Sequence, residues 1–201
     1  MAARKVLTTA VLTLACASLW ACDQPTNPAP PKAQAAPKPA ESNTRTTPAN
    51  PTLSVEKVVI AGKTFKLELA ATNEHRFHGL SGRTAIAPDG GMLFAFPPSQ
   101  VQVQGFVMRD CPIGIDIIYL DPTGRITATA KMVPEPPRGP DEQTSPGAQV
   151  NEKYEKRLKQ YSSHYPAQFV IELAANTLDT LNVKPGEKIE LDLDRLKKLA
   201  Q

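Results

Sequence analysis

The chain has 201 residues with 23 Lys and Arg against 20 Asp and Glu, a formal net charge of +3, and 20 prolines. That near-balance carries no basic excess on any one element, which sets nucleic acid aside as a partner. Three cysteines, Cys16, Cys22 and Cys111, supply neither a disulfide framework nor the paired-cysteine spacing of a zinc site.

Arg4 and Lys5 precede an uncharged run from Val6 to Ala21. This is the length of a secretory signal rather than of a membrane span, and Thr8, Thr9, Thr13 and Ser18 dilute it further. The run closes on Leu19-Trp20-Ala21-Cys22, the form of a lipobox, in which a small residue precedes a cysteine whose thiol takes a diacylglycerol. We therefore expect a signal peptide over residues 1–21 and lipidation at Cys22. The chain would then be exported, with the membrane as a partner through the lipid, facing the periplasm or exterior.

Residues 22–52 hold eight prolines among Ala, Thr, Asn and Lys, from Pro25 to Pro51. Such composition builds no core and reads as a spacer, roughly 30 residues reaching at most about 90 Å in polyproline form. Removal of the signal discards Arg4, Lys5 and Cys16, leaving a nearly neutral chain in which Cys111 has no intramolecular partner.

From residue 53 to 201 a single domain is expected, about 145 residues being enough for one core. Val55 to Ile60 and Thr64 to Ala70 read as strands about an Ala61-Gly62-Lys63 turn, with Phe65, Leu67 and Leu69 on one face. Thr72 caps a short helix ending at Gly79. Met92 to Phe96 follows a Pro88–Gly91 turn and stops at Pro97-Pro98. Val101 to Met108 alternates, Val101, Val103, Gly105 and Val107 on one face and Gln102, Gln104, Phe106 and Met108 on the other.

Ile115 to Leu120 and Arg125 to Val133 form a hairpin about Asp121-Pro122-Thr123-Gly124. A Pro-rich excursion from Pro134 opens an insert over about 134–164. Within it Asn151 caps a helix through Tyr161, with Tyr154, Leu158 and Tyr161 on one stripe. Ala167 to Leu173 reads as a strand, Leu178 to Leu181 as a helical turn, Lys188 to Leu193 as a closing strand and Arg195 to Ala200 as a helical tail. Many short strands with few helices point to a mainly β fold, an antiparallel β-sandwich or barrel with a few short helices.

Four motifs in this order carry a resemblance. Leu67 to Ala70, Thr72, Arg76, Gly79, Leu80 and Arg83 match "LELA-T-x-x-x-R-x-x-GL-x-x-R", and Gly91 to Phe94 with Phe96 match "GMLF-x-F". Phe106 to Cys111, with Ile115-Asp116, follow "F-W-M-K-N-T-x-x-x-LD", with Val107 and Cys111 in place of its Trp and Thr. Ile171-Glu172-Leu173, Thr177 and Gly186 match the closing region. From about Thr64 to Ile189 the chain thus resembles the domain of unknown function 192 family. That resemblance implies a compact sandwich of jelly-roll type and an exported setting, and brings no activity with it.

Inside these motifs Arg76, Arg83, Arg109, Asp110 and Asp116 form the charged set. An arginine fork suits two-point contact with carboxylates, so the set fits either a structural ion-pair network or a pocket for a small polar or saccharide ligand. Ser81 lies in Gly79-Leu80-Ser81-Gly82, which lacks nucleophile-elbow spacing. His75 and His78 lack a third ligand, so no metal is expected, and no cofactor. The expectation is a monomeric, non-catalytic binding or interaction module. The alternative is an envelope hydrolase using Asp110 and Asp116, or Cys111.

Overall fold

The computed structural model describes residues 53–201. The expected signal segment, the lipidation at Cys22 and the linker lie outside the described residues.

Eight strands carry the domain: β1 (Val55–Ile60), β2 (Lys63–Ala70), β3 (Gly90–Ala95), β4 (Gln102–Phe106), β5 (Ile115–Leu120), β6 (Ile126–Met132), β7 (Tyr161–Ala167) and β8 (Phe169–Ala174). Helices are short: α1 (Asn73–His78), α2 (Glu152–Arg157), α3 (Leu178–Leu181) and α4 (Leu193–Leu199). Six strands form one sheet in the order β1-β2-β3-β8-β5-β6, and β4 pairs with β7 in a second. The fold is mainly β, and neither sheet closes into a barrel. The large sheet is mixed rather than antiparallel, because β2 and β3 run parallel. Two parallel strands cannot share a hairpin, and the segment carrying α1 makes the crossover between them.

Local chemistry explains the first elements. Ala61 and Gly62 both take positive φ, 47° and 80°, as a two-residue hairpin loop requires, and Ile60 then pairs with Lys63. The Thr72 hydroxyl accepts from the His75 amide to start α1, and Gly79 at φ 53° ends it.

The central strands β3, β8 and β5 are buried on both faces, which is why they are apolar apart from Asp116 on β5 and Glu172 on β8. One face presents Phe65, Leu67, Leu93, Ile118, Phe169 and Ile171 to Leu181, Ile189 and Leu196 of the C-terminal segment. The other presents Met92, Phe94, Ile117, Tyr119 and Val170 to Leu80, Met108, Tyr161 and Ala167. Each such side chain, fully buried, contributes about 1.5–3 kcal/mol.

Two further expectations are corrected. Lys188 to Leu193 is no strand: it makes one bridge, Lys188 to Arg125, before Asp192 accepts from the Arg195 amide and starts α4. The helix after Asn151 stops at Arg157, and Tyr161 begins β7, its hydroxyl accepting from the Val133 amide. Strand β4 is mostly exposed: of its residues only Gln104 is buried, while Val103 is 52% exposed, and Met108 is buried beyond the strand's end.

Candidate functional site

A cavity of about 310 Å3 opens where α1 and the loop after it approach the ends of β3 and β4. Its walls include Phe94, Phe96, Gln104, Phe106, Cys111 and Glu172. Phe106 anchors the aromatic wall, meeting Phe94 at 5.1 Å and Tyr119 at 5.8 Å, both edge-to-face. Gln104 is held by its own Nε2, which donates to the Gln100 carbonyl at 2.8 Å. Ser81 donates its hydroxyl to the Arg109 carbonyl at 2.8 Å, so it is a loop brace.

Glu172 is the unusual member. It sits in the middle of β8, with Met92 of β3 and Ile117 of β5 as its cross-strand neighbours. Only 5% of its surface is exposed, and that margin faces the cavity. Burial pushes its carboxyl up to about 8, and no cation or hydrogen-bond donor offsets the effect. A carboxyl so placed is costly and is normally paired. Gly91 is required beside it, because a Cβ there would lie 2.2 Å from the Glu172 carbonyl oxygen.

Cys111 reaches the same cavity. Burial first, then the nearby Glu172 carboxyl, pushes its thiol up to about 11, so it stays protonated and a poor nucleophile at neutral pH.

The charged set expected from sequence does not converge. Arg76 and Arg109 line the cavity, but their N–H groups are largely engaged. Arg76 donates to the Ala71 and Ala95 carbonyls at 2.7 and 2.8 Å and to Asn73 Oδ1 at 2.6 Å, and its guanidinium lies over Phe96. Burial lowers its pKa. Arg109 forms a two-point pair with Glu155 of α2 at 2.6 and 2.7 Å and lies over Phe77.

Arg83 pairs with Glu68 at 2.6 Å rather than with an aspartate. Asp110 pairs with Arg138 of the insert through both oxygens at 2.7 Å, which holds its carboxyl below the usual range. Asp116 lies on the opposite face of the sheet from Glu172, where it accepts from the Leu178 amide at 2.7 Å and caps α3. Asp110 and Asp116 therefore share no cleft.

The insert is fastened to the motif loop by these pairs. Tyr154 lies between the Arg138 and Arg157 guanidiniums at 3.8 and 4.7 Å, and its hydroxyl accepts from the Asp110 amide. Among the described residues no group of three metal-ligating side chains occurs, and no helix is long and apolar enough to cross a membrane.

Sequence reasoning passed over Glu172, Gln104 and the Phe94–Phe106 wall. One signal was present: a lone carboxylate inside the apolar strand Phe169-Val170-Ile171-Glu172-Leu173.

Residues 56–191 match the DUF192 family model, described as "Uncharacterized ACR". A crystal structure of a protein of unknown function from Novosphingobium aromaticivorans is similar at 24% identity and a TM-score of 0.54, with 69% of this chain and 86% of that one covered. That likeness is one of fold. A putative transcription regulator from Sinorhizobium meliloti is 25% identical, with a TM-score of 0.47 and 67% and 89% of the two chains covered. No curated protein matches the chain.

Proposed function

Because the chain belongs to the DUF192 family, whose description assigns no activity, we propose from the site itself that this is a non-catalytic binding module for a small polar ligand. One observation carries the reading: Glu172, almost fully buried and unpaired, faces a cavity of about 310 Å3. That volume is at the lower end of small-molecule sites, and the mixture of aromatic walls with a few polar groups is typical of them. A saccharide or a comparable polar molecule fits the mixture of Phe94, Phe106, Gln104 and Glu172.

The hydrolase alternative is disfavoured by its own residues. Cys111 is a neutral thiol, and Asp110 and Asp116 are engaged on different sides of the sheet. We further read the β4–β7 pair over the six-stranded sheet as a sandwich of jelly-roll type. Phe106, Tyr161 and Ala167 sharing a core with Phe94, Ile117 and Tyr119 supports this. The lipid at Cys22 and the Pro-rich spacer would display the module outside the membrane.

The test is a thermal-shift and calorimetric panel of monosaccharides, polyols, small amines and small acids, run on the parent protein and on Glu172→Leu. At least one class should bind the parent with micromolar to millimolar affinity and lose affinity in the variant. Equal binding to both proteins would remove Glu172, and with it this site, from the account.

A further inference from the structure

The charges around the cavity narrow the class of ligand. Four charged or titratable groups line it besides Cys111: Arg76 and His78 of α1, Arg109, and Glu172. Arg109 is neutralised by Glu155 through a two-point pair. Both Nη1 bonds and the shortest Nη2 bonds of Arg76 go to protein oxygens, so an incoming anion finds little of its donor capacity free. Glu172 is the reverse case: it has acceptor capacity and no protein donor. The same cavity wall holds Phe94 and Phe106, packed T-shaped at 5.1 Å, and Tyr119 packs against Phe106 at 5.8 Å. Aromatic faces attract a cation, and the attraction is strongest where water is excluded.

We propose that the cavity takes a small organic monocation, an ammonium carrying a short apolar tail, with its charge against Glu172 and its carbons against Phe94 and Phe106. The proposal rests on the binding reading above and specifies its ligand class. Two features that are separately costly or idle become complementary: the nearly buried Glu172 carboxyl gains a counter-ion, and the aromatic wall covers the tail. Arg109 is offset by Glu155, and Arg76 keeps its donors on protein oxygens. No covalent step is involved.

Such a ligand needs Glu172 ionised, so the fraction of competent protein sets the apparent affinity. With the carboxyl midpoint at about 8, raising the pH from 6.5 to 9 increases that fraction about thirtyfold. The groups facing Glu172 from neighbouring elements are Cys111, on the loop after β4, and Tyr119, on β5. Both titrate above that window, the phenol of Tyr119 because burial raises it.

The experiment compares n-butylammonium, 1-butanol and butyrate, three head groups on one carbon chain, by isothermal calorimetry on the purified protein at pH 6.5 and 9. An alkylammonium stays mostly protonated at pH 9, like a lysine side chain with a pKa of about 10.4. Butylammonium should bind at least tenfold more tightly than butanol at pH 9, and should weaken by roughly thirtyfold at pH 6.5. Glu172→Gln should erase both the preference over butanol and the pH dependence.

Butanol or butyrate binding as well as butylammonium in a Glu172-dependent manner would overturn the cation assignment and leave the binding module standing. Butylammonium binding unchanged by Glu172→Gln would overturn it too. Failure of all three probes to bind at millimolar concentration would refute the ammonium class, and the saccharide panel would then decide the module separately.

Discussion

Replacing Glu172 by leucine should stabilise this protein, and by more as the pH rises. Glu172 lies between Met92 and Ile117 with no counter-charge, and its carboxyl is pushed from an ordinary 4.5 up to about 8. A carboxyl raised on folding contributes its full stability only below its unfolded pKa, and loses that contribution as the pH climbs through the folded value. Between pH 5 and pH 7 the parent should therefore lose about 2–3 kcal/mol relative to the variant, and about 4 kcal/mol by pH 9. Leucine brings no ionisation and buries apolar surface against the same neighbours. Urea unfolding of parent and variant at pH 5, 7 and 9 measures the gap. A gap that stays constant with pH would mean Glu172 ionises as easily folded as unfolded, and the reasoning would fail. A position that a hydrophobic residue would stabilise, yet that holds an acid, is where function is bought with stability.

Arg83→Ala should cost less than about 1 kcal/mol in the same assay, because its Glu68 partner is partly exposed and the pair is screened; a loss of several kcal/mol would show a buried role. At pH 8 native Cys111 should react with iodoacetamide about a hundredfold more slowly than the urea-unfolded chain, given a thiol raised from 9.0 to about 11. Equal rates would contradict the burial that protects it. Cys22→Ser should move the protein to the soluble extracytoplasmic fraction and abolish palmitate labelling, and unchanged membrane retention would count against the anchor.

Many strand positions along the chain were legible because side-chain period and turn chemistry are local. Phe65, Leu67 and Leu69 mark one face of β2, and Thr72 and Gly79 bracket α1 from their own side chain and backbone. Strand β7 escaped because Ser162-Ser163-His164-Tyr165-Pro166 has no apolar alternation. It pairs only with β4, which leaves its other edge outside the ladder, and there a proline is tolerated. Lys188 to Leu193 alternates like a strand, but only Lys188 finds a strand-type partner, and Asp192 turns the chain into α4.

The site was less legible, for a different reason. Arg109, Asp110 and Arg83 are obvious as charges, yet their partners Glu155, Arg138 and Glu68 come from segments that no local pattern joins to them. Glu172 lay within a recognised motif. Its isolation depends on Met92 and Ile117, supplied by strands distant in sequence, so only the sheet order exposes it.

The most direct measurement is a carbon-13 NMR titration of the Glu172 side-chain carboxyl, assigned by its loss in Glu172→Gln. A midpoint near 8 in the free protein is the expected result, the mark of a buried acid left without a partner and open to a ligand. A midpoint between 4 and 5 would mean that the protein already solvates or pairs this carboxyl, and the cavity would lose its claim to be the functional site.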